Sequence, residues 1–327
     1  MPKLSTGRKL LIAARAARNI AVGRPITVSF EVTFNCNANC RHCNWGEYVK
    51  EPRLGPEVWG QRIAELKPVV AQISGGEPLL RKDIYDIITE MRRRDPLAVF
   101  VLTTNVQLMT EEKYLRFREV GVDEFSFSLD YPDERHNAYR QLKENFEHIR
   151  KLVPRLAAHG NHDIVLACVV QSDNFRELPR IAELAREWGV CVNFSIYTHL
   201  RTGITELTIN PDGQLNQLRG VVDQLIHMQR DGYPIATSAY SLRKMLDFYA
   251  TTSQPNCQAG RRFFIINPWG KLAPCGIIQG QFDSQDELME KFTKINTCAA
   301  CYTAIRANCE KSPYRMIVDA LRVVRKR

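Results

Sequence analysis

Three cysteines lie within one short segment, Cys36-Asn-Ala-Asn-Cys40-Arg-His-Cys43. Three thiolates can occupy three corners of a cubane iron–sulfur cluster and leave the fourth iron open to an exogenous chelating group. A structural zinc site is the alternative, but it needs a fourth protein ligand, and His42 is too close to Cys43 to serve comfortably. The spacing therefore predicts an iron–sulfur centre with one open iron.

A second group of cysteines lies near the end of the chain. Its members are Cys257, Cys275, Cys298, Cys301 and Cys309. The Cys298-Ala-Ala-Cys301 pair has chelate spacing, although such a pair alone is also typical of zinc or redox sites. Cys168 and Cys191 lie in apolar segments and are interpreted as core thiols. Because the chain shows no secretory signal, the cysteines predict metal or redox chemistry in the cytoplasm rather than disulfides.

The elements that position these groups alternate between strand and helix, which predicts an α/β fold. The predicted strands are Ile26–Phe34, Val69–Ser74, Ala98–Thr103, Val122–Leu129, Ile164–Val170 and Cys191–Tyr197. The predicted helices between them are Pro56–Leu66, Lys82–Arg94, Glu111–Val120, Arg140–Leu156 and Phe175–Trp188. Such alternation predicts a parallel sheet with right-handed crossovers, in which ligands bind at the carboxyl ends of the strands.

The remaining segments divide the chain into four predicted parts. These are a basic amphipathic helix in residues 1–25, the strand–helix core at 26–200, a helical bridge at 201–255 and a cysteine-rich module at 256–327. Residues 213–230 and 239–250 are predicted helices, Phe263–Pro274 is a predicted hairpin, and Pro313–Arg325 is a predicted basic helix.

Polar motifs follow several of the predicted strands. Ser74-Gly75-Gly76-Glu77-Pro78 closes the second strand, where glycines allow a ligand to approach the backbone and a carboxylate can bind an ammonium group. Thr103-Thr104-Asn105 ends the third strand. Along the fourth, Ser126, Ser128 and Asp130 share one face. Asp130 could equally initiate a turn before Tyr131-Pro132.

The cysteine segment after the first strand, followed one strand later by Gly-Gly-Glu-Pro, resembles the radical S-adenosylmethionine (SAM) superfamily over about residues 26–200. The resemblance implies a partial (β/α)6 barrel and a 4Fe-4S cluster that binds SAM through its open iron. It also implies an oxygen-sensitive enzyme that cleaves SAM to a 5′-deoxyadenosyl radical, which takes a hydrogen atom from a substrate. A low-potential electron donor of the flavodoxin or ferredoxin type is implied as a partner.

The same resemblance assigns roles to individual residues. Cys36, Cys40 and Cys43 are the expected cluster ligands, and the Glu77 motif is expected to bind the methionine amino group. Ser128 and Asp130 are expected at the ribose, and His42 is expected beside the adenine. Asn174 resembles another cofactor-contacting position, although it could be a helix N-cap. The full set of expected SAM-binding residues is His42, Gly75, Gly76, Glu77, Pro78, Thr104, Asn105, Ser128, Asp130 and Asn174.

The cysteine-rich tail is similar to the auxiliary-cluster module called SPASM in its long form and twitch in its short form. The long form needs seven cysteines for two clusters, and this tail has five. The resemblance therefore implies one auxiliary 4Fe-4S cluster. Its expected ligands are Cys257, Cys275, Cys298 and Cys301, and Cys309 either replaces one of them or stays free.

The substrate is the least determined feature of the sequence. Six basic residues and no acidic one precede Glu31, and Leu10, Ala13, Ala14, Ala17 and Ile20 share one helical face. This pattern suits an anionic membrane surface, or a helix packed on the bottom of the barrel. Our hypothesis from sequence is a lipid, membrane-associated or anionic small-molecule substrate, with peripheral membrane contact.

Two alternatives remain open for the function. The first is a peptide maturase that crosslinks or epimerises a residue, although residues 1–25 are too few for the leader-peptide-binding domain that such relatives often carry. The second is a metal-binding regulator of nucleic acid, suggested by the net charge of +9. Because the basic residues lie at the chain ends rather than on a recognition helix, nucleic acid is not expected as a partner.

Overall fold

A computed structural model describes residues 5–43, 45–46 and 48–311 of the chain. Its strands form one sheet in the order β6-β5-β4-β3-β2-β1-β7-β8. They are β1 (Thr27–Thr33), β2 (Val70–Gly75), β3 (Val99–Thr104), β4 (Glu124–Ser128), β5 (Ile164–Val170), β6 (Cys191–Ile196), β7 (Phe263–Ile266) and β8 (Leu272–Ala273). Neighbouring strands from β6 through β1 to β7 pair in parallel, and β7 pairs with β8 antiparallel. The predicted α/β class and its six parallel strands are confirmed.

The α-helices lie between and after the strands. They are α1 (Thr6–Val22), α2 (Pro56–Leu66), α3 (Ile84–Arg94), α4 (Glu111–Glu119), α5 (Arg135–Arg140), α6 (Asn145–Ala157), α7 (Leu178–Glu187), α8 (Pro211–Arg230), α9 (Ala239–Thr251), α10 (Gln285–Lys291) and α11 (Ala304–Cys309). The predicted helix Arg140–Leu156 is wrong at its start. Gln141 and Glu144 both have φ of 54°, a left-handed conformation that separates α5 from α6.

The two faces of the strands explain why the barrel is hollow. Val28, Phe30 and Val32 of β1 are fully buried in the hydrophobic core with Trp59 and Ile63 of α2. The opposite face of the strands carries small or polar side chains. These line a continuous cavity of about 1900 Å³ and include Gln72, Thr103, Ser126, Ala167 and Asn193. Barrels whose inward positions hold large branched residues are filled instead.

The hairpin of the cysteine-rich tail belongs to the same sheet. β7 runs parallel to β1, with Thr27 opposite Phe263 and Phe30 opposite Ile266. The sheet is therefore continuous across the predicted boundary at residue 256. This pairing holds the segment that carries Cys275 beside the strand that leads into the first cysteine segment.

Helix α1 packs against the loops at the amino ends of the barrel strands. Its Arg8 pairs with Asp123 at 2.7 Å, and its Arg15 pairs with Asp95 at 2.6 Å. The Asn19 amide donates to the carbonyls of Pro25 and Lys67. Among the described residues, no helix is long and apolar enough to cross a bilayer. The predicted helix Pro313–Arg325 lies outside the described residues.

Candidate active site

The first three cysteines lie together on the loop that follows β1. Cys40 is buried, and Cys36 and Cys43 are partly buried; with Ala38 and Leu142 they form a small apolar cluster. The Cys36 Sγ accepts a hydrogen bond from the Ala38 amide at 3.4 Å and a longer contact from Asn105 Nδ2 at 3.9 Å. All three cysteines line the large cavity.

Side chains that the sequence analysis did not single out close this loop at its base. Asn35 pairs with both the amide and the carbonyl of Val49, at 2.9 and 3.0 Å. The Glu51 carboxylate accepts hydrogen bonds from the Thr33 hydroxyl and the Phe34 amide. An Asn and a Glu flanking a cysteine cluster are common in loops, so their partners become visible only when the chain folds.

Burial and one cation control the charge of these thiols. Burial raises the pKa of Cys40 to about 11, and the nearby Arg140 guanidinium opposes that shift. Burial also raises the pKa of Cys36, and hydrogen bonding from Ala38 opposes it. A thiolate ligand at these positions therefore needs the positive charge of a bound metal centre, and Arg140 favours the same ionised form.

Gly75 and Gly76, at the end of β2, let the backbone pack closely against the start of the cysteine loop. The Gly76 amide donates to the Thr33 carbonyl at 2.7 Å, and the Glu77 amide donates to the Asn35 carbonyl at 2.9 Å. A Cβ on Gly76 would lie 2.2 Å from the Asn35 carbonyl oxygen, which no side chain tolerates. Both glycines also line the cavity.

Glu77 is buried and already holds three donors. Its Oε1 accepts from the Thr104 hydroxyl at 2.8 Å and from the Leu79 amide at 3.1 Å, and its Oε2 accepts from the Asn105 amide at 2.8 Å. Burial raises its pKa, and these hydrogen bonds oppose the shift. Since a carboxylate has about four acceptor positions, one remains for an ammonium group. Pro78, also buried, begins the short 3-10 helix Pro78–Leu80.

Asp130 and Arg140 form a fully buried ion pair beside the cysteines. Arg140 Nη2 lies 2.7 Å from Asp130 Oδ2, and the Val169 amide donates to Asp130 Oδ1 at 3.0 Å. Burial acts to raise the pKa of Asp130, but Arg140 and the neighbouring histidines outweigh it and lower that pKa. The carboxylate is therefore ionised, and Arg140 lines the cavity together with Ser128.

His42 lines the cavity and takes part in a row of side-chain hydrogen bonds. Its Nδ1 lies 2.6 Å from the Tyr139 hydroxyl, the two rings stack at 5.3 Å, and Gln171 donates to the same hydroxyl. Burial lowers the pKa of His42 to about 4. The ring is thus neutral at physiological pH and fixed in orientation, as a stacking surface requires.

The Asn174 side chain makes its hydrogen bonds with neighbouring backbone groups of the protein. Its Oδ1 accepts from the Gln171 amide at 2.8 Å, and its Nδ2 donates to the carbonyls of Val169 and Asp130. The side chain is fully buried and makes no helix-capping bond. These bonds hold the segment after β4 to the end of β5.

Four of the five tail cysteines come together in the structure. Burial raises the pKa of Cys275 to about 11, with smaller contributions from the nearby Cys301 and Cys298 thiols. Burial raises the pKa of Cys257 to about 11, and Cys301 adds to that shift. The buried Arg306 donates to the Cys301 carbonyl at 2.8 Å and to the Pro255 carbonyl at 2.9 Å, joining two of the cysteine segments.

Cys309 lies in a buried apolar cluster against which Cys257 and Cys275 also pack. It is fully buried, its Sγ lies 3.4 Å from the Thr27 hydroxyl, and its carbonyl accepts from Arg262. Burial raises its pKa to about 12, opposed by the hydrogen bond with Thr27. The geometry therefore favours Cys309 as a core thiol over a ligand.

Among the described residues, no three His, Cys, Asp or Glu side chains are placed to hold one metal ion. The thiolates of a cubane bind separate irons, so they need not meet at one point. At the first group, three thiols, the Arg140 cation and an open cavity meet these requirements.

Comparison with known proteins defines the class. Residues 30–185 match the family model described as the radical SAM superfamily. This segment is a radical SAM domain, and the protein is a radical SAM enzyme, whose cofactors are SAM and a 4Fe-4S cluster and which uses a reductant and a substrate. The predicted radical SAM enzyme, with SAM and its 4Fe-4S cluster as cofactors, is confirmed, and the interpretation as a non-enzymatic regulator is set aside. The auxiliary module and its cluster stay a prediction.

Two curated relatives match nearly the whole chain at low identity, and a third matches part of it. The AdoMet-dependent heme synthase of Nitratidesulfovibrio vulgaris is 28% identical over 94% of this chain and 93% of its own length. That of Methanosarcina barkeri is 24% identical over 91% of this chain and 94% of its own length. The Fe-coproporphyrin III synthase of M. barkeri is 27% identical over 63% of this chain and 52% of its own length.

Solved structures share the fold. Streptococcus suis SuiB bound to precursor peptide SuiA has a TM-score of 0.64 at 15% identity, covering 88% of this chain and 70% of SuiB. The enzyme anSMEcpe with bound AdoMet has a TM-score of 0.61 at 18% identity, covering 81% of this chain and 80% of its own. At such identity the similarity establishes the partial barrel.

Proposed function

We propose that this enzyme oxidises a large, carboxylate-bearing small molecule, and that its substrate is a tetrapyrrole related to coproporphyrin. The observation that carries the proposal is the cavity of about 1900 Å³ next to the first cysteine group. Typical small-molecule pockets occupy roughly 300 to 1000 Å³, so this cavity has room for a sizeable substrate beside the cluster and SAM, whose proposed binding residues line the same space. The relatives that match the full chain are named for heme synthesis.

The cavity wall combines apolar surface with cations that can bind carboxylates. Arg140, Arg201 and Arg243 all line it. Arg201 lies over the Trp45 ring at 4.5 Å, and Trp45 in turn stacks on Phe34 at 3.8 Å. A guanidinium held against an aromatic ring is well placed to bind a carboxylate beside a flat apolar body.

We propose which residues bind each part of the cluster and of SAM. The cluster is bound by Cys36, Cys40 and Cys43, and Glu77 accepts a hydrogen bond from the methionine ammonium. Ser128 and the Asp130–Arg140 pair lie at the ribose and carboxylate side of SAM. The neutral His42 ring stacks beside the adenine. The bound cofactors supply the radical that removes one hydrogen atom from the substrate. The chain orients both molecules, and the buried loop keeps water from the reacting carbon.

We also propose that Cys257, Cys275, Cys298 and Cys301 bind one auxiliary 4Fe-4S cluster in a short, twitch-like module. Removal of a hydrogen atom leaves a substrate radical, and completing a two-electron oxidation requires an acceptor for one more electron. The auxiliary cluster would accept it, and a flavodoxin- or ferredoxin-type protein would supply the electron that starts the cycle. Residues 303–305, which follow Cys301, line the substrate cavity and support this arrangement.

The test is an anaerobic assay of reconstituted protein with SAM, a strong reductant and iron coproporphyrin III. Substrate-dependent 5′-deoxyadenosine and a changed porphyrin mass are expected, and both should be absent from the Cys36→Ala, Cys40→Ala, Cys43→Ala triple variant. Metal-free coproporphyrin III tests whether the iron is needed. Unchanged porphyrin with cluster-loaded enzyme would reject this substrate class.

A lipid or other membrane-associated substrate is the second candidate. It is favoured because the same cavity continues along the barrel to Ile12, Ala16 and Ile20 of α1. A peptide substrate, the first alternative from sequence, belongs in the same assay as a third arm. Stimulation of 5′-deoxyadenosine formation by only one of these three classes would decide between them.

A further inference from the structure

Helix α1 holds two of its arginines against the protein and leaves several large apolar side chains exposed. Arg8 and Arg15 are held by Asp123 and Asp95 on the barrel. On the outer side, the exposed fractions are 67% for Leu10, 60% for Leu11 and 58% for Val22. A helix that only sealed the barrel would bury these large side chains, because exposed leucine and valine gain nothing in water.

The outer side of α1 forms one strip. Leu10, Ala14, Ala17 and Ala21 follow the spacing i, i+4, i+7 and i+11, so they lie on one line along the helix, and all four are exposed. Leu11 and Val22 flank this line. We call these six residues the outer strip.

The charged side chains on α1 beside the outer strip are positive. Lys9 and Arg18 are exposed on α1 beside it, and neither makes an ion pair with a residue that the structure describes. No acidic residue precedes Glu31 in the sequence. An apolar strip bordered by cations is complementary to a surface that is apolar inside and anionic at its boundary.

The large cavity reaches this helix. Its lining includes Cys36 near one end of the barrel and Ile12 and Ala16 of α1 at the other, and it extends to Ala17 at the border of the outer strip. The same helix therefore presents the outer strip and borders the far end of the substrate cavity.

We propose that α1 is a membrane-docking surface, whose outer strip enters an anionic phospholipid bilayer while Lys9 and Arg18 contact the lipid phosphates. Docking in this orientation sets the amino end of the barrel against the bilayer. A sparingly soluble substrate then reaches the cavity from the lipid phase. This inference does not depend on the substrate proposed above, since it concerns where the enzyme binds rather than what it oxidises.

The test is co-sedimentation of the full-length, cluster-loaded protein with vesicles of phosphatidylcholine alone or mixed with phosphatidylglycerol. Binding to the mixed vesicles is expected, weakening as salt is raised. The double variant Leu10→Asp, Leu11→Asp should bind about tenfold more weakly or worse, because two leucines lose their burial in lipid. Lys9→Glu with Arg18→Glu should remove the preference for phosphatidylglycerol.

Ile295→Asp is the matched control, because Ile295 is 75% exposed and lies outside α1. It should bind like the wild-type protein. The proposal is overturned if the wild-type chain stays in the supernatant, or if the Leu10, Leu11 double variant binds as well as wild type. It is also overturned if the double variant converts a dimer into a monomer without changing vesicle binding, because a second copy of the chain would then cover the outer strip.

Discussion

Arg140 joins the cysteine loop to Asp130. Its guanidinium lies 2.7 Å from the Asp130 carboxylate, and its backbone carbonyl accepts a hydrogen bond from the Asn39 amide at 3.3 Å. Asn39 lies between Cys36 and Cys40, so the position of the loop depends on the last residue of α5. Asp130, which lies just beyond β4, thereby holds in place the positive charge that favours thiolate at Cys40.

Replacing Arg140 with methionine should destabilise the protein strongly. The substitution leaves Asp130 buried without its cation, which costs roughly 3 to 5 kcal/mol for a broken buried pair. Urea unfolding under anaerobic conditions measures the loss, and iron content should fall as well. Arg180→Met is the matched control, because Arg180 pairs with Glu183 and Glu187 on an exposed surface, where a pair contributes under about 1 kcal/mol. Equal losses for the two variants would contradict the prediction.

Much of the fold was readable from the sequence because each strand carries its own pattern. The strand Ile164–Val170 and the helix Pro56–Leu66 are observed with the predicted bounds. The hairpin Phe263–Pro274 was also predicted, but its parallel pairing with β1 was not. Local periodicity identifies a strand, whereas the choice of a partner more than 200 residues away depends on tertiary packing.

The site was predictable only where a motif is local. The cysteine segment and the Gly75-Gly76 turn have a spacing that carries chemical meaning by itself. No such local spacing marks Arg140, Glu51 or Arg201. The role of a single charged residue cannot be read from the sequence until its partner in the fold is known. The side-chain directions of α1 were equally hidden: periodicity separated Leu10 from Arg8, but the burial of Arg8 against Asp123 is a tertiary choice.

Gly76→Ala should disrupt the first cysteine loop. The added Cβ would lie 2.2 Å from the Asn35 carbonyl oxygen, so the backbone on one side must move. Lower iron content and weaker SAM binding, measured by equilibrium dialysis, are expected. Gly220→Ala is the control, since its Cβ would meet nothing within 4 Å and α8 should gain up to about 1 kcal/mol. A Gly76→Ala protein with full iron and unchanged SAM affinity would refute the close-approach argument.

The tail cysteines should hold a second cluster independently of the first. Anaerobically reconstituted wild-type protein should contain about eight irons per chain, and the Cys36, Cys40, Cys43 triple alanine variant about four. Cys309→Ser should retain the wild-type iron content, because the Cys309 thiol is fully buried and bonds with the Thr27 hydroxyl. Cys275→Ser should lose the second cluster. About four irons in the wild-type protein, or loss of iron in Cys309→Ser, would show that the ligand set is different.

Glu31 should make stability depend on pH. Burial raises the pKa of this carboxyl from 4.5 to about 7, opposed by Arg201, and its Oε2 makes no hydrogen bond with the described residues. Between those two pH values the folded protein binds more protons than the unfolded chain. Stability therefore falls as pH rises from 4.5 to about 7 and levels off above that, a span of about 3 kcal/mol.

Glu31→Gln removes this carboxyl while keeping its shape, so the variant should gain stability relative to wild type at pH 8 and little at pH 5. Urea unfolding at both pH values measures the difference. Every protein compared carries the same cysteines, so acid-dependent loss of cluster affects them equally. Glu290→Gln, at an exposed carboxylate, is the control and should follow the wild type at both pH values. If Glu31→Gln keeps the wild-type slope between pH 5 and pH 8, then the Glu31 carboxyl is already ionised in the folded protein, paired with Arg201.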